Sequence, residues 1–533
     1  MPDSGRISLA ERLGFRRRVP VRFLATISDP VAGDTEAARA LLRGEIRQGR
    51  ERFVLRGADW ALPGASDTFR SHVHGFAWLR DLGLALTMDH GADFVQPIVK
   101  GWLAANDMPD GEAWRPDRIG ARLAFWAFYA PYILSSRDSG YRGGVLGHYA
   151  RAATHAEKNM ARAPQGLPRV IAAAGLVIAG LMLERGDRRL GKAEALLDGA
   201  LSAFVMPHGL PASRRPSDLL AVMCWLHMLR TAYEARSLDW PEAQQAQDGL
   251  VRAGIRAARL GDGRLAALHG SPIMSAAHID NILAWPGMAA RGIGAGATSG
   301  LQRLESGRAI VLVDAGPPPD ADVNAAAHAG ALAFEMSDGE ERIIANVGGS
   351  PADARLEQVV RTTAAHSTIT VDDRNQSHIP ETGALGTGVD QVEISRQESE
   401  EGQWLDMCHD GYRRRFGLMH HRRLFLAAGG TDLRGEDVLS GAGRKAKSAH
   451  PFALRFHLTP GTDVAPTADG KGAVLKTAKG RMWQFKLSGG TLVVDDSLWI
   501  GEDGGLNRSR QLAVTGESAL GDTVLRWRFN KVR

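Results

Sequence analysis

The apolar residues of this chain change their period once, near Gly261-Asp262-Gly263, and that change restricts the chain to folds with a helical half followed by a β half. From about residue 70 to 258, apolar side chains recur at helical spacing in segments such as SHVHGFAWLRDLGLALTM, RIGARLAFWAFYAPYILSS and LPRVIAAAGLVIAGLMLE. Roughly eight helices of ordinary globular length are predicted there, joined by short loops and free of heptads. That pattern suits a toroid or an array of helical hairpins. No clean repeat is visible, so a regular solenoid is not expected. Beyond Gly261 glycine becomes frequent and short alternating runs take over, among them FALRFHLTPG, GRMWQFKLSG and TLVVDDSLWI. Turn residues divide them at intervals that predict an antiparallel β-sandwich. The expected division is an N-terminal extension over 1–69, a helical domain over 70–260 and a sandwich over 261–533. Within the extension, Asp34–Arg47 reads as a helix and 51–70 as short extended pieces.

Composition excludes several classes. A chain of 533 residues with 44% apolar and 23% charged residues is an ordinary globular protein of two or three domains. Its net charge of +5 suits a polyanionic partner, but a solvated mixed-charge surface explains so small a value equally well. The two cysteines, Cys224 and Cys408, make neither a disulfide framework nor a metal spacing. No P-loop, HExxH, CxxC or GxSxG is present, and no strand leads into a GxGxxG. No recognisable nucleic-acid fold surrounds the basic segment near 413–423. No apolar run reaches the ~18 residues of a spanning helix. The cluster Arg16-Arg17-Arg18 is followed by a short apolar stretch broken by Arg22, without a small-residue cleavage site. A cytoplasmic location is expected, with the cell envelope or periplasm as the alternative.

Chemistry concentrates between Asn324 and Gln376. His328 precedes the alternating run Ala331–Met336, and Asp338-Gly339 reads as the turn of a β-hairpin whose second strand is Arg342–Val347. Arg361 lies a short extended step before His366, which opens the strand Ile369-Thr370-Val371. Two imidazoles and a guanidinium would then converge at one sheet edge, or serve only as strand-end and surface residues. Downstream, Tyr412 sits in Cys408-His409-Asp410-Gly411-Tyr412, and Arg413 and Arg415 would share a strand face, lining an anion groove or protecting a sheet edge.

The pattern HAGALAFE…ANVGG…RTTAAHSTITVDDRNQ, followed by CHDGYRRRFGLMHHRRLFL, resembles the C-terminal β-domain of heparinase II/III-like proteins, and HGFAWLRDL resembles their helical domain. Those are polysaccharide lyases and their relatives, built from an (α/α) toroid and a β-sandwich. The resemblance implies β-elimination on a uronic-acid glycan, with no cofactor required. Such a reaction needs donors for a developing aci-carboxylate, a base for the C5 proton and an acid for the leaving oxygen. It implies a functional role for His328, as base or metal ligand, although the partner position two residues earlier is Ala326. It also implies a structural zinc on His328, His366 and the position of Asn346, where an amide replaces the expected acid. Arg361 is the candidate for gripping a substrate carboxylate and Tyr412 a candidate acid. The toroid segment expected to supply an Asn and a Tyr offers His208, Ser213 and Arg214 instead, so His208 is the candidate there. The leading expectation is a lyase acting on an acidic polysaccharide. The alternatives are a non-catalytic glycan-binding relative and a glycoside hydrolase with paired carboxylates.

Overall fold

The computed structural model describes residues 22–288, 300–350, 353–441 and 448–532. The basic cluster at 16–18 lies outside them. The chain separates into two compact units, Met1–Leu201 with Cys224–Gln244, and Ser202–Met223 with Gln245–Arg533. The stretch 202–223 and most of the helix Glu242–Ala257, from Gln245 on, therefore group with the strands.

In the first unit Asp34 caps the helix Thr35–Leu42 by accepting from Ala37 N at 2.7 Å. That helix stops five residues short of the sequence expectation, because Glu45–Gln48 pairs with Glu51–Val54 as a hairpin. The segment expected as one helix from Ser71 is two, Asp67–His74 and Leu79–Ala85, interrupted where Phe76 takes a φ of 60°. Likewise Pro116–Phe128 and Ala130–Leu134 are separate helices, since Pro131 has no N–H to offer Ala127. The helices Pro116–Phe128 and Leu167–Met182 cross with backbones touching: a Cβ on Gly175 would lie 2.1 Å from Gly120 O. Two glycines at the crossing make that approach possible.

The second unit holds two eight-stranded sheets. One runs, in spatial order, through 463–466, 472–476, 482–488, 523–531, 432–441, 418–427, 402–409 and 392–399. The other runs through 491–500, 506–517, 451–458, 341–345, 334–338, 309–314 and 301–306, with Ile369–Val371 paired to 451–458. Period-two burial turns Trp483, Phe485 and Leu487 inward. They meet Phe456, Trp527 and Phe529 in an aromatic core, where the rings of Phe334 and Trp527 stack with centroids 5.6 Å apart.

The predicted hairpin forms as Phe334–Asp338 and Glu341–Ala345, turning at Gly339-Glu340. Every residue of both strands is buried, because 258–270 covers the outer face. Gly261 N donates to Ser337 Oγ at 2.9 Å, and Arg342 bridges Glu335 and Asp262 at 3.0 and 3.1 Å. The basic segment differs from expectation. Arg413–Phe416 is a short helix, and Leu418–Ala427 lies inside its sheet, so it protects no edge.

Within that sheet His409, His420, Arg422 and Asp437 are buried in one directed hydrogen-bond chain. Gly411 N–H donates to His409 Nδ1 at 3.0 Å, which leaves the His409 proton on Nε2. That nitrogen lies 3.1 Å from His420 Nδ1, and His420 Nε2 lies 2.7 Å from Asp437 Oδ1. Arg422 Nε and Trp527 Nε1 donate to the same carboxylate at 2.8 and 2.7 Å. Burial alone would raise the Asp437 pKa, but Arg422 and His420 hold it well below the usual carboxylate range. Arg422 also donates to Leu332 O and Ser367 O, at 2.7 and 2.8 Å, tying the loops around His328 and His366 to the core.

Candidate functional site

The two histidines singled out from the sequence do meet. His328 lies in the irregular stretch ahead of its strand and His366 at the end of the 3-10 turn Thr363–Ala365. His328 Nδ1 is 3.2 Å from His366 Nε2, and His328 Nε2 is 3.3 Å from Glu357 Oε1. His366 Nδ1 faces Thr362 O at 2.8 Å and carries its proton there, since a carbonyl can only accept. The line Thr362 O, His366, His328, Glu357 thus has three contacts and an acceptor at each end, while two neutral imidazoles bring two N–H groups. Burial pulls His328 below its ordinary pKa, with Glu357 opposing, and pulls His366, with further help from His328, down to about 3. Glu357 shifts below its usual value: burial works against ionisation, but His328 and Ser350 N–H favour it. At neutral pH the line therefore stays one proton short.

Beside it, His269 accepts from His328 N at 3.4 Å and reaches Asp314 Oδ2 at 3.1 Å. Arg214 also pairs with Asp314, and Arg215 donates to Gly270 O at 2.6 Å. His269, Asp314, His328, Gln376 and Ser377 line a narrow recess whose walls stand too close to seat a water molecule.

The other candidates are engaged elsewhere. Arg361, expected on an extended step, caps the helix Ala354–Val360 and is 2% exposed. Its Nε donates to Ala327 O at 3.0 Å and its Nη2 to Gly383 O at 2.8 Å, so it holds the His328 loop. Tyr412 is 1% exposed and donates its hydroxyl to Ile369 O at 2.7 Å, with burial raising its pKa far above the ordinary phenol value. A phenol so placed delivers no proton to a leaving group. His208 sits half-buried in the turn Met206–Gly209, its Nδ1 3.4 Å from Leu210 N, and makes no hydrogen bond to the other candidates among the described residues. Glu357, His269 and Asp314 carry no motif that marks them; a lone His before Gly-Ser-Pro and a lone Glu on a seven-residue helix have no distinctive spacing.

The donor set does not fit zinc. Asn346 accepts from Ser367 N at 2.9 Å through Oδ1, and its remaining polar atom is a buried, unpartnered amide nitrogen, which cannot ligate a cation. Among the described residues no group of three His, Cys, Asp or Glu side chains is placed to hold a metal ion.

Comparison with known proteins agrees with this architecture. The family description "Heparinase II/III-like, C-terminal" matches residues 288–528. FtsZ-localized protein C of Caulobacter vibrioides is 31% identical over 477 residues, covering 86% of this chain and 81% of that protein. Among solved structures, heparinase III superposes with a TM-score of 0.70 at 12% identity, over 99% of this chain and 85% of that one. A heparan sulfate lyase from Pedobacter heparinus superposes with a TM-score of 0.63 at 14% identity, over 93% and 82%. Likeness at such identities speaks for the fold: a helical toroid followed by an antiparallel sandwich. With a relative of this identity spanning most of both chains, and the family's C-terminal signature lying over the sandwich that carries His328 and His366, the chain belongs to the heparinase II/III-like family.

Proposed function

We propose that this chain is a glycan-binding member of the family that keeps the lyase scaffold without performing β-elimination. One observation carries the reading: His328, His366, Arg361 and Tyr412 are each 2% exposed or less, and each is held by protein partners. A base for C5 must reach its proton, and each of these side chains is buried against protein partners. The Caulobacter relative, named for its localisation with FtsZ, supports a role beside the division apparatus. The competing reading, a working lyase, draws on the fold and on the retained His328–His366 pair.

Ultraviolet absorbance during incubation with a panel of uronic-acid polysaccharides separates the two. A flat trace is expected; growth of the conjugated C4=C5 band would overturn the proposal. Co-sedimentation with FtsZ polymers tests the division-site role.

A further inference from the structure

In the first unit, the hairpin Glu45–Gln48/Glu51–Val54 carries an excess of positive charge that its own surroundings do not neutralise. Arg43, Arg47, Arg50, Arg52 and Arg56 fall within fourteen residues, and all five are exposed. Arg47 and Arg52 are direct cross-strand partners, an arrangement that costs stability. The Gly49-Arg50 turn, with Gly49 at a φ of 57°, puts a third cation at the tip. Among the described residues no carboxylate pairs with any of the five. Of the acids on the hairpin, Glu51 is engaged by Ser66 N at 2.8 Å and Glu45 stands opposite Val54.

The ribbon is held in place by its other face, where Ile46 and Phe53 are buried. Trp60 packs on Phe53 with ring centroids 5.1 Å apart and stays half-exposed. Paired residues on such a ribbon stand about 5 Å apart and alternate residues about 7 Å. Arg47 and Arg52 stand as one outward pair, with Glu45 and Val54 as their neighbours on that face, and Arg50 adds a third guanidinium at the tip. Arg47 Nε is held by Gly49 O at 3.0 Å, and the exposed guanidinium groups of the three offer donors for carboxylate or sulfate.

We propose that this hairpin is a docking site for a linear glycan bearing carboxylate or sulfate groups, separate from the His328 recess. The inference rests on the glycan-binding reading above and gives that reading a location and a ligand chemistry.

The test is fluorescence anisotropy of a fluorescein-labelled heparin oligosaccharide with the full chain and with R47Q/R50Q/R52Q. The expected result is a Kd about ten-fold or more higher in the variant, with weaker salt dependence and a melting temperature at or slightly above that of the wild type. R47K/R52K should recover only part of the affinity, because an ammonium cannot make the fork. Wild-type affinity in the triple variant would overturn the hairpin site while leaving the glycan-binding reading intact. Absence of heparin binding by the wild-type chain would overturn both. Binding to phosphatidylglycerol vesicles or duplex DNA without binding to heparin would overturn the choice of ligand.

Discussion

Replacing His328 with alanine distinguishes an imidazole that holds the fold from one that does chemistry. The substitution removes the contacts to His366 at 3.2 Å and Glu357 at 3.3 Å, and leaves Glu357 without its imidazole partner in a largely buried position. The one hydrogen bond that the His328 proton can make, an under-satisfied acid and a cavity that closes only partly together cost about 2–4 kcal/mol. For a unit of roughly 300 residues a kcal/mol moves Tm by about 2 °C, so scanning calorimetry should show a fall of about 4–8 °C. Heparin affinity should stay within about two-fold of wild type.

Glu357→Gln is the counterpart. The amide oxygen can still accept from Ser350 N, which now donates to Glu357 Oε2 at 2.8 Å, while the amide N–H supplies the proton that the His328 contact lacks. That variant should match wild-type stability at pH 7 within about 0.5 kcal/mol. A His328→Ala protein as stable as wild type, with altered handling of glycans, would refute the reasoning. A Glu357→Gln protein destabilised as much as His328→Ala would refute the proton count.

Four further outcomes are expected. Asp437→Ala strands Arg422, His420 and Trp527 N–H in the core and should cost about 3–5 kcal/mol in thermal unfolding. Gly175→Ala forces a methyl against Gly120 O and should lower stability by about 1–3 kcal/mol, read as a lower midpoint in urea. Asn346→Asp restores an acid beside the His328–His366 pair, so added zinc should raise the variant's Tm and leave the wild type unmoved, as should a chelator. On acidification, His366, with its pKa near 3 in the fold against 6.5 in the unfolded chain, leaves the unfolded state binding more protons; stability should fall as pH drops from about 6.5 towards 3, and His366→Gln should flatten that slope in pH-dependent denaturation.

Much of this molecule is legible in its sequence. Two of the expected helices each proved to be a pair, at Phe76 and at Pro131. Proline breaks a helix for a reason visible in one residue, whereas Phe76 adopts its positive φ only because the surrounding packing holds it there. The hairpin and the pairing of His328 with His366 follow from alternation and from motifs that travel with the sandwich. The roles of Arg361 and Tyr412 do not. Whether a guanidinium faces solvent or the carbonyls of Ala327 and Gly383 depends on residues 34 positions before and 22 after it, and no local pattern encodes that meeting. The burial of both faces of Phe334–Asp338 was hidden for the same reason, since the cover comes from 258–270.

The chain from Gly411 through His409 and His420 to Asp437 has a further consequence. A line of imidazoles conducts protons by hopping and then turning: each ring passes a proton on and must reset its donor and acceptor before the next arrives. Here the first link is a backbone N–H, which cannot reverse into an acceptor, and the last is a carboxylate clamped by Arg422 and Trp527. The line is therefore blocked at both terminals. It fixes one tautomer for each histidine and transmits orientation between strands, but carries no proton current across the sandwich.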